Sequence, residues 1–82
     1  MTEPSYVVPP NPQAAQAVRA SQIPPGWTAS VAYRDFLANG FTRGVTQEQS
    51  AQHIGDLFDK VALALMETIN RVNALEQRLG QP

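Results

Sequence analysis

Apolar residues recur every 3.5 positions along the C-terminal part of the chain. With Ala51, Phe58, Leu65, Val72 and Leu79 at heptad position a, position d holds Ile54, Val61, Thr68 and Leu75, and only Thr68 among them is polar. A 3.5-residue repeat sustained over this length predicts a coiled coil whose core includes Ile54, Phe58, Val61, Leu65, Val72, Leu75 and Leu79. The competing expectation is an amphipathic helix packed on residues 27–37 of its own chain. The helix is expected over residues 47–79. Thr46-Gln47-Glu48-Gln49 matches a capping box, no proline follows until Pro82, and Gly80 supplies a stop. Such a helix would be about 50 Å long at 1.5 Å per residue.

The flanking positions change along this helix. Up to Ile69 they are apolar (Leu57, Ala62, Ala64 and Ile69, with Met66 beside them), which predicts more than one neighbour. Beyond Ile69 the stripe narrows among Arg71, Asn73, Glu76, Gln77 and Arg78. Arg71-Val72-Asn73-Ala74-Leu75-Glu76 resembles the Arg-hydrophobe-x-x-hydrophobe-Glu motif of short parallel three-stranded coiled coils. The resemblance implies that Arg71 packs over the core and pairs with Glu76 of a neighbouring helix, and that the oligomer is a homotrimer, with a dimer as the alternative. The heptad register independently sets Arg71 at g and Glu76 at e, where such a pair forms. A surface pair of this kind contributes under ~1 kcal/mol, so core packing must supply the stability. Asp56 with Lys60 and Glu67 with Arg71 are spaced for helical ion pairs of ~0.3 kcal/mol each.

The N-terminal part reads differently. Six of the seven prolines fall between Pro4 and Pro25, marking residues 1–26 as a proline-rich arm with a short alanine-rich helix. Tyr6, Val7 and Val8 are β-prone and run into Pro9 and Pro10, which favours an extended form. Residues 1–12 could reach roughly 40 Å. They suit docking on a larger assembly, either by adding a strand to a partner's sheet or, through Pro9-Pro10-Asn11-Pro12, as a polyproline ligand. Asn11 and Pro12 form a helix start, and residues 13–22 follow until Ile23-Pro24-Pro25-Gly26 ends the run. Residues 27–45 are expected to hold a second short helix, capped by Thr28 or Ser30 and closed by Asn39-Gly40, with residues 41–45 as linker. Its Trp27, Tyr33 and Phe36 are expected to pack on the helix bundle. Residues 46–82 are the oligomerising segment, and the fold class is all-α.

Composition narrows the function. The chain has 82 residues and no cysteine, so disulfides and thiolate metal sites are excluded and self-association is the economical route to stability. Six basic and seven acidic residues with no basic cluster argue against nucleic-acid binding. The run from 61 to 66 is too short to span a bilayer, and Met1-Thr2-Glu3-Pro4 does not resemble a secretion signal, so a cytoplasmic origin is expected. No nucleophile–base set, phosphate loop or ligand cluster is present. His53 with Asp56, and Asp56 with Asp59, read as helix surface, and Ser21, Ser30 and Ser50 have no base nearby. The expectation is a non-enzymatic assembly protein without metal or cofactor. A trimer anchored by N-terminal arms resembles the layout of short fibres, spikes and cement proteins on bacteriophage particles, which would place the chain in a virion. An adaptor whose helix pairs with a different coiled coil, and a scaffolding or DNA-packaging factor, are the rival readings.

Overall fold

A computed structural model describes residues 5–80. The first four residues of the expected arm, and Gln81 and Pro82, lie outside the described residues. Along the chain come β1 (Tyr6–Val8), α1 (Pro12–Arg19), α2 (Thr28–Arg43), β2 (Val45–Thr46) and α3 (Ser50–Leu79). The protein is therefore mostly helical, with a long C-terminal helix, and also carries a small β ribbon that an all-α reading does not contain.

Helix α1 starts where the residue chemistry requires. The Asn11 side chain accepts the Ala14 N–H at 3.1 Å, and Pro12 occupies the first turn, where no amide is needed. The helix ends at Arg19, three residues short of expectation. The approach to Ile23-Pro24 disfavours helical backbone, and Arg34 of α2 instead donates to the Ser21 carbonyl at 3.2 Å. Helix α1 lies across α2, and the smallest side chains make the contact: Ala15 and Ala38 are both fully buried.

Helix α2 runs through the expected stop at Asn39-Gly40 and ends at Arg43. Gly40 is retained inside it because the His53 ring of α3 lies against it; a Cβ there would stand 3.3 Å from His53 Cε1. The stop falls instead at Gly44, whose φ of 77° no other residue adopts readily and whose N–H bonds the Gly40 carbonyl at 2.8 Å. Neither Thr28 nor Ser30 caps the start of α2.

The residues read as a linker and as a helix cap serve another purpose. Val45 and Thr46 form β2, which pairs antiparallel with β1 in the register Tyr6 with Thr46 and Val8 with Val45. Gln47 N–H adds a bond to the Ser5 carbonyl at 2.9 Å, and Asn11 N–H reaches the Phe41 carbonyl at 2.7 Å. The N-terminal arm is thereby folded onto its own chain. Thr46 cannot also cap α3, so the helix begins at Ser50. Half of the capping box survives: Gln49 Oε1 accepts the Thr46 N–H at 3.1 Å.

Helices α2 and α3 are antiparallel neighbours. The start of α2 (Ala29, Ser30) meets Glu67, while its later turns (Phe36, Gly40) meet His53. From Val72 onward α3 projects past the start of α2, and residues 72–80 are all exposed. The molecule measures 68 × 24 × 15 Å, and its radius of gyration of 16.4 Å exceeds the ~12 Å of a compact chain of this length.

Candidate functional site

The long helix carries two seams. His53, Leu57, Lys60, Ala64, Glu67 and Arg71 follow a 4-3-4-3-4 spacing, and this line meets α2. Ala64 is buried, and His53, Leu57, Lys60 and Glu67 are half-buried. The a and d residues each come one step later: Ile54, Phe58, Val61, Leu65, Thr68 and Val72. One residue is about 100° of helix rotation, so they face sideways from the helix pair and nothing among the described residues covers them. Phe58 is 73% exposed, Leu65 56% and Leu79 78%. Ile54, Val61, Val72 and Leu75 are exposed as well, so the whole expected oligomer core forms one uncovered apolar line.

The interior of the chain is correspondingly thin. Among the described residues, the buried apolar side chains are Ala15, Ala38, Val45 and Ala64, and no large side chain is fully buried. The accessible surface is 6395 Å², against the ~4,800 Å² that size scaling gives a compact chain of this length. The larger apolar residues are therefore spent on the surface seam rather than on the interior.

Glu67 and Arg71 were expected to pair with each other. They do not, because each has a better partner at the start of α2. Glu67 Oε2 accepts the backbone N–H groups of Ala29 at 2.6 Å and Ser30 at 3.3 Å. A carboxylate from α3 thus caps α2 at its positive end. Its other oxygen is buried without a partner. Arg71 donates to the Gly26 carbonyl at 3.1 Å, and its guanidinium lies 5.2 Å from the Trp27 ring centroid. The guanidinium that the trimer motif would use between chains is thus engaged inside its own, while Glu76 remains exposed on the projecting turns. Asp56 accepts from Gln52 at 3.1 Å rather than pairing with Lys60. The one ion pair within 4.0 Å among the described residues joins Arg34 and Asp35. The sole sequence signal for the Glu67 cap is an acidic residue standing in the apolar stretch 61–69.

The remaining predicted residues fall into two groups. Phe36 stacks on His53 with centroids 4.9 Å apart, and Trp27 and Tyr33 are half-buried on the helix pair. Tyr6, Val7, Pro9 and Pro10 are exposed and Val8 is half-buried. Tyr6 and Pro10 lie directly over Gly44: a Cβ at 44 would stand 2.7 Å from Pro10 Cδ and 2.9 Å from Tyr6 Cε1. β1 has no strand on its outer edge among the described residues.

An open groove of about 640 Å³ lies beside the C-terminal half of α2, lined by Tyr6, Asn39, Arg43, Gln52, His53 and Asp56 among others. It brings together no nucleophile and base in hydrogen-bond contact. Among the described residues no group of three or more metal-ligating side chains occurs, and no helix is long and apolar enough to cross a membrane. Comparison with protein families, curated proteins and solved structures returned no match.

Proposed function

We propose that this chain is a non-enzymatic assembly protein that forms a parallel homotrimer through the a/d seam of α3. The observation that carries the reading is the division of labour on that helix. The residues at the 3.5-residue repeat are the ones that the chain's own fold leaves open. The surface beyond that of a compact chain, roughly 1,600 Å², matches two faces of ~800 Å² each, the complement of a subunit with two neighbours. The projecting turns from Val72 to Leu79 have no neighbour among the described residues, and a coiled-coil partner would cover them. With Arg71 held at Trp27, trimer stability rests on this apolar seam and not on an Arg71–Glu76 pair between chains.

Attachment to a larger assembly is proposed through the N-terminal arm, in a form adjusted to the ribbon. The arm is tied to its own chain by β2, and the open outer edge of β1, with the exposed Tyr6 and Val7 beside it, is the part left to accept another strand. Three such edges on one trimer would raise avidity by ~10²–10⁴. The proposed host is a virus particle, on likeness of layout alone. The same open seam would also fit the helix of a different protein, which is the adaptor reading.

Absolute mass by light scattering over a concentration series tests the proposal. A mass of three chains is expected. A one-chain mass throughout the series would overturn self-assembly and favour the heterologous partner.

A further inference from the structure

We infer, on the reading that α3 trimerises, that α2 of each chain fills the outer groove between its own α3 and the next. Tyr33 of the neighbour then lies level with Ala62 and covers it, and the first turn of the neighbour's α2 (Ala29, Ser30), which is level with Glu67, covers Met66. The assembled state is a three-helix core surrounded by three antiparallel helices over residues 53–69, with a bare three-stranded coil beyond.

The first support is the angle between the seams. Helix α2 sits on the line through Ala64, and the a/d line lies one residue away, about 100° around the helix. In a parallel three-helix coil, the groove between adjacent helices lies roughly a quarter-turn from the direction of the shared axis. The position α2 already occupies in the single chain is therefore the position of that groove. In a two-helix coil the partner lies straight across the seam, and α2 remains remote from it.

The second support is which side of α2 faces the seam. The two helices are antiparallel and both right-handed, so the side of α2 turned toward the a/d line carries Tyr33 and Leu37. The opposite side carries Thr28, Asn39 and Arg43. The groove of about 640 Å³ agrees, because it joins Asn39 and Arg43 of α2 to Gln52 and Asp56 of α3, on the flank away from the seam. One edge of the helix pair is apolar and the other polar.

The third support is the width of the apolar face. It continues past the a/d line to Ala62, Ile69 and Met66, and Met66 is 53% exposed. A bare coil leaves a residue at Met66's heptad position in water. The first turn of a neighbouring α2, which is level with Glu67, covers it.

The experiment compares three variants of the full chain by sedimentation over a concentration series. Leu65→Asp, on the seam, is expected to yield single chains. Met66→Asp is expected to raise the midpoint concentration for association at least ~100-fold, because a charge enters a covered site. Leu63→Asp, exposed on the polar flank, is expected to associate like the unaltered chain. If Leu65→Asp leaves assembly intact, the seam itself is wrong. If Leu65→Asp dissociates the protein while Met66→Asp matches the unaltered chain, the surrounding ring of helices is wrong and the seam stands.

A second measurement does not depend on a destabilising charge. The chain has no cysteine, so Tyr33→Cys and Ala62→Cys can be made separately, mixed, and treated with a short bismaleimide. Mixed dimers carrying one of each variant are expected. Products only between like variants would overturn the inference.

Discussion

Adding one methyl group at Gly44 tests how the arm is held. Gly44 has φ 77° and ψ 167°, a region open in practice only to glycine, and placing an alanine there costs ~1–3 kcal/mol in backbone strain. The new Cβ would also stand 2.7 and 2.9 Å from two carbons of the Pro10 ring and 2.9 Å from Tyr6 Cε1. The Pro10 ring is fixed in the chain and cannot swing aside as a long side chain can. Relief requires the arm to lift, which gives up the β1–β2 ladder and the Asn11–Phe41 bond at 2.7 Å. Allowing ~1 kcal/mol for each backbone bond lost and adding the strain, Gly44→Ala should destabilise the protein by about 3–6 kcal/mol. Total stability at this size is on the order of 4–12 kcal/mol, so the loss is a large part of it.

The control is the same substitution at Gly55, inside α3, where a Cβ meets nothing within 4 Å. Gly55→Ala should stabilise by ~0.5–1 kcal/mol through helix propensity. Both are measured by urea unfolding at one protein concentration, because the proposed association would make stability depend on it. Amide exchange adds location: Gln47 and Asn11 N–H, bonded to Ser5 and Phe41, should lose protection in Gly44→Ala and keep it in Gly55→Ala. A Gly44→Ala protein within 0.5 kcal/mol of the parent, with both amides still protected, would refute the seating of the arm over residue 44.

Three further substitutions probe single contacts. Glu67→Ala removes the acceptor for the Ala29 and Ser30 amides and should cost ~2 kcal/mol, read by urea unfolding; Glu67→Gln, which keeps an acceptor, should cost about half as much. Asn11→Ala deletes the side-chain cap of α1 and should cost ~1 kcal/mol by the same assay, with the loss of helical circular dichroism on heating confined to the start of the unfolding curve. Arg71→Ala should shift the emission of Trp27, the single tryptophan, toward that of a water-exposed indole, whereas Arg78→Ala, on the projecting end of α3, should leave it unchanged.

Much of α3 was legible because a repeat of many residues averages out local exceptions. The start of α1 was legible because Asn11 and Pro12 act within one turn. What could not be read are the places where a distant residue decides a local question. Asn39-Gly40 carries the chemistry of a helix stop, yet the His53 ring packs against Gly40 and the helix continues. Thr46 has the chemistry of a cap, yet its backbone is taken by a strand some forty residues earlier. Tyr6-Val7-Val8 reads correctly as a strand, but its partner within the chain is only two residues long and has no pattern of its own. The i,i+4 spacing of Glu67 and Arg71 suggests a pair, and only the fold shows an uncapped helix end within reach of one and an indole within reach of the other. The repeat and a contact with residues 27–37 are both visible in the sequence; that this contact falls one residue before the a and d positions and leaves them exposed is not.

The one-residue offset between the two lines of α3 also shapes how this protein can change. Because His53, Leu57, Lys60, Ala64, Glu67 and Arg71 share no member with the a/d set, point substitutions can alter the packing within the chain and the exposed apolar line separately. Insertions and deletions have no such freedom. A single added residue in mid-helix turns everything after it by about 100°, which swings the distal part of one line into the place of the other. Lineages of this protein should therefore drift in side chains along α3 while holding its length rigid up to Arg71, and should vary in length at the projecting end and in the loops.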